Sequence, residues 1–115
     1  VSWQLSGPYE FFGMCQCSMC RKATGAAFAT NLFVKANQFK WLTGESEVGE
    51  YVMEAPNTFG NAFCKTCGSR APRFSSARGW MMAPLGSTMQ TPEIEPTLVC
   101  AKDHTDWFKK LEEMI

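Results

Sequence analysis

"CQCSMCRKATGAAFATNLFVKANQFKWLTGE" (residues 15–45) joins two patterns that together decide the fold: three cysteines within six residues, followed by two short runs of β-forming residues. The runs "FATNLFVK" (28–35) and "QFKWL" (38–42) are apolar, aromatic or β-branched, and the polar "TGES" that follows is turn chemistry. Working outward, "VSWQL" (1–5) alternates apolar and polar residues, and "EYVME" (50–54) and "GWMMAPL" (79–85) repeat the strand-like composition, the latter after the turn "SSARG". Pro72, Pro84, Pro92 and Pro96 punctuate the second half, and "STMQTPEIEP" (87–96) reads as a loop. Only the C-terminus carries a helical period. In "TDWFKKLEEMI", Trp107, Phe108, Leu111, Met114 and Ile115 share a face, with Thr105 or Asp106 as N-cap. The expected class is mainly β, built from short antiparallel strands with a short C-terminal helix.

With 115 residues, 45% of them hydrophobic, the chain suits a single domain over 1–115. Residue 1 already sits inside the strand alternation, so the natural protein is expected to begin earlier. Eleven Lys and Arg balance eleven Asp and Glu. That leaves no basic field for nucleic acid and no polybasic patch for anionic lipid. No apolar run approaches the length of a membrane span. The expected setting is soluble and cytoplasmic, and the sequence does not speak to oligomeric state.

Six cysteines invite disulfides or metal. Nine Phe, four Trp and seven Met make the chain richer in core residues than secreted disulfide scaffolds. Spacing favours metal, because Cys17 to Cys20 and Cys64 to Cys67 are both C-x2-C units, and such a turn brings two sulfurs to one side. Gly68 follows the second unit and tolerates positive φ where the chain folds back. The first is followed by Arg21 and Lys22, whose charge favours thiolates. Two arrangements fit. One zinc held by Cys17, Cys20, Cys64 and Cys67 leaves Cys15 idle. Alternatively, Cys15, Cys17 and Cys20 form a tripod that fills three zinc corners and leaves the fourth open, the pattern of a catalytic site.

The segment 15–45, with "FCKTCGSRAPR" (63–73), "GWMMAPLGS" (79–87) and the late "DWF" (106–108), resembles the glutathione-dependent formaldehyde-activating enzyme family, whose domain also occurs in centromere protein V. The resemblance implies a β-tent fold with two zinc ions per full-length chain. By it, Cys15, Cys17 and Cys20 hold the catalytic zinc, and Cys64 and Cys67 supply half of a structural one. The other half is an upstream C-x-C-G segment, expected before Val1. Gln16 stands where the family often has His. The implied reaction is addition of glutathione to formaldehyde, a carbon–sulfur lyase chemistry with glutathione as co-substrate.

A free thiol, with pKa near ~8.5, is mostly protonated at neutral pH, and coordination removes that proton. Three protein thiolates leave zinc a weak Lewis acid, so the expected role of the metal is to bind and deprotonate the fourth sulfur rather than to polarise formaldehyde. Arg21, Lys22 and Arg73 are candidates for glutathione's carboxylates, since Arg grips them bidentately, with solvated surface charge as the plainer reading. His104 reads as an exposed cap residue, Cys100 as a buried apolar thiol, and Met81, Met82 and the aromatic residues as core. Two other functions are open: a non-catalytic zinc module for a protein or thiol partner, and a thiol redox enzyme resembling B-type methionine sulfoxide reductase with Cys100 as nucleophile.

Overall fold

The β-forming runs become ten strands and two short helices in a computed structural model that describes residues 1–54 and 59–114. In chain order these are β1 (Ser2–Leu5), β2 (Phe11–Cys15), α1 (Ser18–Thr24), β3 (Ala29–Lys35), β4 (Phe39–Thr43), β5 (Val48–Val52), β6 (Gly60–Cys64), β7 (Arg70–Ala71), β8 (Arg73–Ser75), β9 (Trp80–Pro84), β10 (Thr97–Val99) and α2 (Phe108–Met114). Three sheets result: β1-β4, β10-β2-β3-β9-β8 and β5-β6-β7. All pairings are antiparallel except β10 with β2. The mainly β class with a short C-terminal helix is as expected, and residues 88–96 form the expected loop.

β3 lies at the middle of the five-stranded sheet and is buried on both faces, with the consecutive apolar residues Leu32, Phe33 and Val34 filling the space on either side. Val34 and Ala83 are fully buried, with Leu32, Phe33 and Met81 around them. Phe33 gathers Phe11 and Trp80 at ring distances of 5.8 Å each, and Arg78 lies over the Phe33 ring. A second aromatic group, Trp3, Phe39 and Trp41, holds β1 to β4.

Three expectations are corrected. A second helix, α1, forms directly after Cys17, where only the C-terminus had shown a helical period. Cys100 is exposed rather than buried, because β10 pairs with a single neighbour and even its Leu98 is 54% exposed. Not every aromatic or apolar residue joins the core: Phe74, Trp107, Leu111 and Met114 are exposed, and α2 is anchored by Phe108 packing edge-on against Phe28. Ile115 lies outside the described residues.

Candidate metal centre

The site begins where β2 ends. Cys15 is the last residue of that strand and stands in register between Ala29 of β3 and Val99 of β10, so two neighbours fix its backbone. The next residue stays in the ladder through Gln16 N–H donating to Val99 O at 2.9 Å. Cys17 then turns the chain into α1. Its backbone is extended, and its sulfur caps the helix by accepting the Cys20 N–H at 3.3 Å. One helical turn later Cys20 comes back beneath it. Gly25, at φ 67°, closes the helix in the left-handed conformation with its N–H on Arg21 O. The first C-x2-C unit is therefore a helix cap, whereas the second is a plain turn closed by Gly68 at φ 78°, whose N–H reaches Cys64 O.

This local path puts the sulfurs of Cys15, Cys17 and Cys20 all within 4.8 Å of one another. Ligands at the zinc–thiolate bond length of about 2.3 Å stand about 3.8 Å apart at the corners of a tetrahedron, so small side-chain rotations suffice to close the group on a metal. Among the described residues it is the single group of three or more side chains able to hold a metal. The four-sulfur site of Cys17, Cys20, Cys64 and Cys67 does not form. His104 joins no such group and lies with Nδ1 3.0 Å from Ala101 O.

The three thiols differ in their environment. Burial pushes the Cys20 thiol strongly up, and the sulfurs of Cys15 and Cys17 add to the effect. Burial also pushes Cys15 up. At Cys17 burial acts in the same direction but is outweighed by the Cys20 N–H, the two neighbouring thiols and the Met19 N–H, so its thiol falls below its ordinary value. Cys17 is thus the thiol of the set that ionises most readily, and binding a metal must displace protons from Cys15 and Cys20.

The second pair sits apart. Cys64 is buried at the end of β6, and Cys67 is exposed in the following turn. Cys67 Sγ lies 3.2 Å from Ser69 Oγ. The Ser69 hydroxyl and backbone N–H, with the Cys64 thiol, lower the Cys67 thiol to about 7. Both cysteines open onto a cavity of about 540 Å³ whose wall includes β1, Arg70 and residues 87–90.

The basic candidates occupy three different settings. Arg21 donates Nε to Gln16 O at 3.1 Å and so clips the start of α1 to the end of β2, while Lys22 is exposed. Arg73 is paired with Glu50 at 3.1 Å and lies across Gly60, where a Cβ would collide with its guanidinium. Two further residues carry no signal in the sequence pattern. Arg70 donates Nε to Asn61 Oδ1 at 2.8 Å and Nη1 to Asn31 Oδ1 at 3.2 Å. Burial lowers its pKa from the ordinary value, while Cys20, Cys15 and Cys17 pull it the other way, so its charge acts on the cysteine group. Gln16, between two of the cysteines, is 1% exposed, and its Oε1 has no hydrogen-bond partner among the described residues.

The family model for glutathione-dependent formaldehyde-activating enzyme matches residues 1–104. The chain belongs to this family. Glutathione-dependent formaldehyde-activating enzymes are thus the relatives against which the cysteine group is read. A crystal structure of a Rhodobacter sphaeroides protein, a structural-genomics target, is similar in fold at a TM-score of 0.60 and 14% identity, over 82% of this chain and 88% of that one. No curated protein matches the chain. Among the described residues no helix is long and apolar enough to cross a membrane.

Proposed function

We propose that this protein is a zinc-dependent carbon–sulfur lyase that adds glutathione, or a similar thiol, to formaldehyde and so forms S-hydroxymethylglutathione. The observation that carries the reading is three sulfurs held within 4.8 Å by one short stretch, with no fourth protein ligand joining them among the described residues. Cys15, Cys17 and Cys20 would hold the zinc, which would supply an open fourth position where a thiol is more acidic than in water. The chain's own groups do the rest. The Cys17 sulfur is already favoured as a thiolate by the Cys20 N–H, and the strand register of Cys15 holds the set in place. Arg21 and Lys22 on α1, and Arg73 by exchanging Glu50 for a substrate carboxylate, orient the anionic ends of glutathione. The sulfur lone pair forms the new carbon–sulfur bond as the carbonyl π pair moves onto oxygen, that oxygen takes up the proton the thiol gave up, and nothing is oxidised or reduced.

Cys64 and Cys67 belong in this reading to a structural zinc whose remaining ligands come from an upstream segment, giving two zinc ions per full-length chain in one soluble, cytoplasmic domain. A low thiol pKa at Cys67 suits a metal ligand. The rival redox reading gains one observation: Cys100 is exposed and follows Val99, the register partner of Cys15. Turnover that depends on Cys100 supports it. The lyase itself is tested by the rate of S-hydroxymethylglutathione formation, followed by exchange NMR, with zinc-loaded wild type and Cys17→Ser. Acceleration by the wild type alone is expected. Acceleration by neither protein refutes the activity.

A further inference from the structure

A three-thiolate site has a charge problem. A divalent metal with three thiolates carries a net charge of −1, and a fourth thiolate takes it to −2. In a partly buried site that excess is costly unless a cation stands near. Among the described residues the ion pairs are Lys35 with Glu10 and Arg73 with Glu50, so no described carboxylate claims Arg70. Instead Arg70 is fixed by two neutral acceptors, Asn61 Oδ1 and Asn31 Oδ1, which hold a guanidinium in place without cancelling its charge.

The strand register says where that charge is held. Asn31 and Ala29 are two residues apart on β3 and share one face of the strand, and Ala29 is the register partner of Cys15. Two residues along a strand span about 6.8 Å. β7 therefore delivers Arg70, across the boundary between two sheets, to the face on which Cys15 stands. Asn31 is 6% exposed, so the link lies in the interior, where charge interactions are less screened.

We infer that Arg70, clamped by Asn31 and Asn61, is the positioning cation of the Cys15, Cys17 and Cys20 site, offsetting the charge of its thiolates and favouring an anionic sulfur as fourth ligand. This rests on the metal-site reading above. Arg70 acts through the field it places on the sulfurs and is not assigned a bond to substrate. The interaction energy between unit charges several ångströms apart, at an effective interior dielectric near 20, corresponds to about a tenfold change in affinity or more.

The test uses cobalt(II) as probe, reading thiolate-to-metal charge-transfer absorption in competition with a chelator, with and without glutathione. Absorption that disappears in Cys15→Ser belongs to this site. Arg70→Gln keeps a hydrogen-bonding side chain and loses the charge. It should weaken cobalt binding about tenfold and glutathione binding to the cobalt form by at least as much. Arg70→Lys should restore most of both. Asn61→Asp puts a carboxylate against Nε and neutralises the guanidinium in place. It should raise or keep the melting temperature of the metal-free protein while weakening cobalt binding, opposite signs that a purely structural role would not produce. It also serves if Arg70→Gln fails to fold. Wild-type affinity in both Arg70→Gln and Asn61→Asp, or equal losses in Arg70→Gln and Arg70→Lys, overturns the inference. A wild-type protein with no Cys15-dependent cobalt absorption overturns the metal-site reading instead.

Discussion

Metal affinity at the cysteine tripod should depend steeply on pH, and the slope follows from the three thiol environments. Cys15 and Cys20 are both raised above the ordinary thiol value of 9.0, and Cys17 is lowered below it. In metal-free protein near neutral pH the first two are therefore protonated, and both protons must leave when a metal binds. Each displaced proton changes the binding free energy by about 1.36 kcal/mol per pH unit. Apparent affinity should rise about 100-fold per pH unit where Cys17 is already ionised, and steepen toward about 1000-fold per unit below the Cys17 pKa. The assay is cobalt(II) titration by charge-transfer absorption between about pH 6 and pH 8, corrected for protonation of the competing chelator. A rise of about tenfold per unit or less would mean that one proton or none is displaced, and would refute the assignment of three thiolate ligands. The same shifts set the sign for the metal-free fold. Thiols whose folded pKa is raised favour the protonated form, so the stability they contribute is fully present below 9.0 and is lost as pH climbs toward the folded values.

Two further outcomes are expected. Gln16→Met removes a fully buried acceptor that has no described partner and keeps the side-chain volume, so the melting temperature of the metal-free protein should hold or rise, by the equivalent of about 1 kcal/mol; a clear fall would show that the carbonyl is satisfied. In metal-free protein near neutral pH, iodoacetamide should modify Cys67, exposed and lowered to about 7, well before the buried Cys20, and peptide mapping that finds equal rates would contradict the environments described.

What could be read from the sequence depended on how local its cause was. The strands at 29–35, 39–43 and 80–84 follow from local composition and turn residues, and the tripod follows from the spacing of three cysteines in one short stretch. α1 escaped because seven residues span two turns, too few to show a helical period, and because its cap is a sulfur rather than a Ser, Thr, Asp or Asn. Cys100 is exposed because it lies just past β10, a strand with one neighbour, and in sequence such an apolar run looks like one in a sheet centre. Arg70 differs from Arg73 by three positions in the chain, yet one joins a sheet boundary beside the cysteines and the other a pair with Glu50. That distinction is made by contacts between β3 and β7 across 39 residues, which no local pattern encodes.

Whether the fourth ligand of the tripod is the substrate's sulfur is decided by zinc per chain and glutathione binding, measured side by side for wild type and Cys15→Ser. A neutral hydroxyl is a much poorer zinc ligand than a thiolate. The variant should keep its fold, hold less zinc than wild type and lose glutathione binding. Equal zinc content and equal glutathione binding in the two proteins would contradict that ligand assignment, leaving Cys15 a bystander and the enzyme reading without its site.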